Sequence, residues 1–212
     1  MKLLSRLLPL LVLLNACSDN TPSQTTVSPA PSAPEAASET PAAADFSTER
    51  NAYFGDLHVH TMYSYDAFIF GTTSSPDDAY QFAKGGALTH PAGFEMRLDV
   101  PLDFYGVTDH AYYLGVLREM AIGDSDLARH EVAEGMDALG DDIAYRRRMF
   151  AKFRDFARSD RRMEIMDGRV VKTAWDDIVA AANRHNDPGN FTAFVGYEYT
   201  ASGSEYENLH RN

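Results

Sequence analysis

Residues 52–61 read Ala52-Tyr53-Phe54-Gly55-Asp56-Leu57-His58-Val59-His60-Thr61. Large apolar side chains set among polar ones predict a β-strand here. Side chains alternate along a strand, so Asp56, His58 and His60 are expected on one face. Two imidazoles at neighbouring same-face positions suit a single metal ion, with the carboxylate available to orient a ligating ring. A pair of core or surface histidines without metal is the plainer alternative. Outward from this stretch, Leu102–Thr108 and Phe191–Thr200 are predicted as further strands. Helical patterns lie between: from Ser75-Pro76-Asp77-Asp78 to Gly85-Gly86, about Ala111–Ala121, Asp141–Arg158, and from a Thr173 cap to Asn186. Ile143, Met149, Phe150, Phe153, Phe156 and Ala157 form the apolar face of the third. Strands alternating with helices predict an α/β fold with a parallel sheet.

Parallel α/β folds gather their chemistry at the carboxyl ends of the strands, and reactive residues stand at each of these ends. Ser64-Tyr65-Asp66 follows the first strand. Asp66 reads as a ligand for a second ion or as an ordinary turn former. Gly106-Val107-Thr108-Asp109-His110 closes the second strand, where Asp109 is open to a metal, a proton relay or a helix cap. Gly196-Tyr197-Glu198-Tyr199-Thr200 closes the third and sets one carboxylate on an aromatic, apolar strand.

Together, Asp56–Thr61, Thr108-Asp109-His110 and Gly196-Tyr197-Glu198 resemble the polymerase and histidinol phosphatase (PHP) superfamily of metallohydrolases, over about residues 51–200. More narrowly, residues 55–68 (GDLHVHTMYSYDAF) and 101–115 (PLDFYGVTDHAYYLG) look like a bacterial PHP-related family of exported proteins whose activity is generally recorded as unknown. The resemblance implies a distorted (βα)7 barrel holding two or three divalent ions, Zn, Mn or Fe. It implies that His58 and His60 hold the first ion, that Glu198 bridges it to a second, and that Asp66 and His110 serve a third. Asp109 would act beside His110 as a catalytic relay. His210 stands where related chains often carry a histidine and is counted as a candidate ligand. The implied activity is hydrolysis of small-molecule phosphate esters, as a phosphatase or phosphodiesterase, by metal-activated water. Two rivals stay open: amide hydrolysis of the amidohydrolase kind, and a lipid-anchored metal- or ligand-binding module without turnover.

Such sites normally draw further histidines and a late Asp-x-His from the second half of the barrel. Here the sequence stops at Leu209-His210-Arg211-Asn212, so the chain is expected to be the amino-terminal part of the barrel.

The full chain has 212 residues, 31 acidic against 19 basic, and one cysteine. A net charge of -12 leaves no basic surplus to displace the counterions of nucleic acid, which is not expected as a partner. One cysteine excludes an internal disulfide framework and a Cys-rich zinc site. Residues 1–17 place Lys2 and Arg6 ahead of the apolar run Leu7–Leu14, the layout of a secretory signal and too short to span a bilayer. Leu14-Asn15-Ala16-Cys17 resembles the bacterial lipobox, which implies lipidation at Cys17 and attachment to the membrane by acyl chains alone. Ser18 behind it resembles an outer-membrane sorting signal, with the protein on the periplasmic face. A plain secretory signal with a chance cysteine is the alternative. Residues 18–45 are Ser, Thr, Pro and Ala with few large apolar groups, and predict a disordered tether without chemistry. Residues 46–212 remain as the folded domain.

Other candidates have structural readings. His90 falls in a loop, His130 on a charged helical stretch facing solvent, and His185 in the last turn of a helix, against the negative dipole end. Arg146-Arg147-Arg148 read as a solvated stripe. Tyr63, Tyr65, Tyr112 and Tyr113 flank the site as packing groups or pocket walls.

Overall fold

The structure, a computed structural model, describes residues 51–202 and 208–212. Cys17, the signal-like segment and the tether lie outside the described residues. The chain begins with β1 (Gly55–Val59) and the single-turn α1 (Tyr65–Ile69). Next comes α2 (Pro76–Ala83), where Ser75 and Asp78 cap each other reciprocally and Pro76 sits at the first helical position. A small hairpin, β2 (Leu88–Thr89) and β3 (Glu95–Met96), leads to β4 (Phe104–Val107). Three helices follow: α3 (Val116–Ile122), α4 (Ile143–Ala157), capped by Asp142, and α5 (Gly168–His185), capped by Asp167. The described chain closes with β5 (Thr192–Val195), β6 (Tyr199–Ser202) and β7 (Asn208–Arg211).

A parallel sheet in the order β1-β4-β5 lies at the centre. Each parallel pairing needs a helical crossover, which α2 and α5 provide, and these two helices cover one face of the sheet. Tyr80, Val107, Ile178, Ala181 and Ala182 are buried between them. At about 1.5–3 kcal/mol for a large buried apolar side chain, this seam holds the strands to the helices. A second core, built on Ile69, Leu117, Met120, Met136, Phe153 and Ile165, packs α1, α3, α4 and the intervening 3-10 turns together. The α/β class with a parallel sheet is therefore as expected. The opposite face of the sheet carries Leu57 and Phe194 on either side of Gly106, where a Cβ would meet Leu57 at 3.1 Å and Phe194 at 3.4 Å. Those two side chains are 45% and 46% exposed, so this face stands open among the described residues. No described helix is long and apolar enough to cross a membrane.

The structure corrects several boundaries. The expected helix over 111–121 begins only at Val116, because Tyr113 (φ 57) and Gly115 (φ 76) take left-handed conformations. A side chain at Gly115 would in addition press on Ala174 at 3.1 Å. The helix expected from Thr173 starts at Gly168, since the Asp167 carboxylate accepts the N–H groups of Arg169 and Val170. Phe191–Thr200 is two strands, not one. The ladder breaks after Val195, and Gly196 fits where a Cβ would lie 3.0 Å from Thr108. Ile143 sits at the exposed start of α4 and leaves its apolar face. His130 caps a 3-10 turn through the Val132 N–H and packs on Phe156, so it does not face solvent. Arg146 leaves the solvated stripe and donates to the carbonyls of Ile69 (2.8 Å) and Gly140 (2.6 Å). His90 is structural as expected: its ring stacks on Phe94 and its Nδ1 accepts the Ala92 N–H.

Candidate metal centre

The carboxyl end of β1 supplies the first two rings. The β1–β4 register shifts between Asp56 and Val59, and the Asp56 carboxylate accepts the backbone N–H of His58 at 2.8 Å. Asp56 therefore shapes this irregularity and does not orient a ligating ring, as the alternation had suggested. The rings of His58 and His60 still converge, with centroids 5.1 Å apart. Thr61, directly after them, is fully buried. Its N–H and hydroxyl both donate to Asp109, at 2.5 and 2.6 Å.

Those bonds decide the place of Asp109. Burial raises its pKa to about 6, against the opposing pull of the Thr61 donors. Both oxygens are engaged, and Asp109 belongs to none of the donor groups found among the described residues. It anchors the turn that presents His60, one step behind the position expected of a relay. The cause is the alternation of an extended chain: His110 turns into the site and Asp109 away from it.

Glu198 arrives by a resumption of the sheet. After the break at Gly196, Glu198 donates its N–H to Asp109 O (2.9 Å) and its carbonyl accepts from Ala111 (3.0 Å). His110 and Glu198 thus form an isolated parallel bridge, which sets imidazole and carboxylate side by side. Glu198 is completely buried, and its two oxygens face different partners. Oε2 meets His58 Nε2 at 3.0 Å and His60 Nε2 at 2.6 Å. Oε1 meets Nδ1 of His210 from β7 and lies 3.6 Å from His110 Nδ1. Asp66, in the first turn of α1, faces His60 Nδ1 (3.2 Å) and His110 Nε2 (3.4 Å), and Ser64 Oγ donates to it at 2.7 Å.

All six candidate ligands therefore converge. They form three overlapping groups: His58, His60 and Glu198; His60, Asp66 and His110; His110, Glu198 and His210. Burial pushes the Glu198 carboxyl upward, but His60 and His210, with the charge of His110, outweigh it and hold it below the usual range. Asp66 is likewise held well below its ordinary value: burial opposes this, and His110, His60 and Ser64 override it. Burial alone would lower His60, yet Asp66 and Glu198 raise it. No described lysine or arginine pairs with Glu198 or Asp66. A buried carboxylate needs compensating positive charge. Imidazole nitrogens and carboxylate oxygens gathered without a fixed cation make a donor set that fits a divalent metal ion.

Residues 47–212 match a family described as "Protein of unknown function (DUF3604)". The chain belongs to the DUF3604 family. No curated protein and no solved structure matches it.

This DUF3604 site also contains Ser64 and Thr200, which residue type alone did not single out, and Tyr65, which was expected to flank it. Ser64 steadies Asp66 and sits 3.3 Å from His60 Nδ1. Tyr65 stacks on His110, centroids 4.6 Å apart and planes 16° from parallel. Thr200 reaches His110. Its position two residues past Glu198, on the same side of an extended chain, was the available signal. Tyr113 is fully buried in the core, and the Tyr63 hydroxyl donates to Asp177 at 2.7 Å, so these two pack and do not line the donor groups.

Proposed function

We propose that this chain carries the centre of a metal-dependent phosphoesterase of the PHP kind. The observation that carries the reading is Glu198: a wholly buried carboxylate with His58 and His60 on one oxygen and His210 on the other. That is the arrangement a bridging carboxylate requires. Ions of zinc, manganese or iron held there would supply a nucleophile near neutral pH and positive charge for the phosphoryl oxygens. The chain's own groups do the positioning. Ser64 fixes Asp66, Asp109 fixes Thr61 behind His60, and Tyr65 covers one face of the His110 ring. The parallel sheet and its open face are compatible with the first part of a distorted (βα)7 barrel. The lipobox at Cys17 and the tether would hold this domain at the periplasmic face of the outer membrane.

The test compares the chain stripped by a chelator with the chain reloaded with each of the three metals, on panels of phosphomonoesters, phosphodiesters and amides. Metal-restored phosphoester hydrolysis, lost in His58→Ala and His60→Ala, is the expected result. Equal rates with and without metal would overturn the reading. Amide cleavage alone would move the chain to the amidohydrolase chemistry, and tight metal uptake without turnover on any panel would make it a binding module.

A further inference from the structure

His110 belongs to two of the donor groups at once, one with His60 and Asp66 and one with Glu198 and His210. A neutral imidazole has a single lone pair, so the ring serves one side or the other. Its surroundings differ at the two nitrogens. Nδ1 lies 2.5 Å from the Thr200 hydroxyl and 3.6 Å from Glu198 Oε1. Nε2 faces Asp66 Oδ2 at 3.4 Å, beyond the 2.7–3.2 Å usual for an N–H···O bond. The Nδ1 edge thus has much the closer partner for a proton, and the Nε2 edge faces only the longer contact to Asp66. The ring has little freedom to turn over: its side chain is 3% exposed and Tyr65 stacks against it. Thr200 itself is fixed by the β6–β7 hairpin, where it pairs directly with His210.

We propose that Thr200 is a positioning residue that holds the His110 proton on Nδ1 and so commits Nε2 to the Asp66 side. This inference rests on the metal reading above. The hydroxyl accepts from Nδ1–H, as the outer-shell partner of a ligating histidine usually does. His110 then joins Asp66, and Glu198 Oε1 with His210 is left without a third imidazole. One threonine on the hairpin thereby removes the overlap at His110, while His60 and Glu198 stay shared between groups.

Two measurements on the full chain test this. Nitrogen-15 NMR of the metal-free protein, at a pH where imidazoles are neutral, reads the tautomer directly, with the His110 signals assigned through His110→Gln. Protonated Nδ1 is expected in the wild type and in Thr200→Ser, and a mixture of tautomers in Thr200→Val. A wild-type ring protonated on Nε2 overturns the proposal, and this result needs no variant to fold. Zinc titration against a chromophoric chelator is the second measurement. Thr200→Val should weaken the uptake that Asp66→Asn abolishes by about 10–100-fold, leave the uptake that His58→Ala abolishes unchanged, and be rescued by Thr200→Ser. Zinc uptake in Thr200→Val equal to wild type overturns the proposal. If the wild type takes up no zinc, the metal reading fails by itself, while the NMR result still decides whether Thr200 holds the ring.

Discussion

Asp109 separates chemistry from architecture at the scale of one residue. As part of Thr108-Asp109-His110 it reads as reactive, and its pKa, raised to about 6 by burial, fits that reading. Its two bonds to Thr61 give it another task, because a carboxylate accepting two donors locks a turn. Asp109→Asn keeps the shape but turns a donor toward Thr61, leaving one buried group unpaired at about 1–3 kcal/mol. The urea midpoint should fall accordingly, and a double-mutant cycle with Thr61→Val should show coupling. Additive effects of the two substitutions would mean that Asp109 is not the anchor. At this scale the candidate donors were legible and their supports were not. Histidines and acids at strand ends announce chemistry by type, while Ser64 and Thr200 carry common hydroxyls whose partners only the fold brings near.

Among elements, the start of α2 was legible because all of its signals are local: Ser75 as cap, Pro76 behind it, Asp78 reaching back. The start of α5 was not, since Asp167 precedes a glycine, a poor helix former. The split of Phe191–Thr200 was hidden as well, because only the approach to Thr108 requires the break at Gly196. What joins α2 to α5 beyond their apolar seam is Asp77, which meets Arg184 Nε at 3.1 Å and His185 Nε2 at 3.0 Å. Arg184 chiefly, with His185 against a modest effect of burial, holds the Asp77 carboxyl below its ordinary value of 3.8. On acidification the unfolded chain therefore takes up this proton first. The stabilisation is fully present above that ordinary value and is lost as pH falls through the lower, folded one. Asp77→Asn should be less stable than wild type at neutral pH, with the gap closing below about pH 4 and shrinking in high salt. Denaturation midpoints between pH 2 and 7 check this, and a gap constant across that range would show that the pair does not bear on stability.

For the whole molecule, the site joins parts of the chain that are remote in sequence. His58 and Glu198 lie 140 residues apart, and Asp66 comes from α1, His110 from the stretch after β4 and His210 from β7. No local pattern states that β1 pairs with β4 and β4 with β5. The convergence was inferable only from the rule that strand ends in parallel folds gather together. An ion bound by these donors binds the folded state alone, so it must raise stability by mass action. With free metal at a hundred times Kd the gain is about 2.7 kcal/mol, or a rise in Tm of roughly 5–10 °C for a domain of this size. Glu198→Gln keeps the side-chain volume but removes the charge shared by both faces of the site. It should abolish the metal-dependent rise while the variant still unfolds cooperatively. Thermal scans of both proteins, with chelator and with zinc, decide the matter. A wild-type Tm indifferent to metal, or a Glu198→Gln variant that responds as the wild type does, would mean that no ion ties β1 to the segment beyond β5.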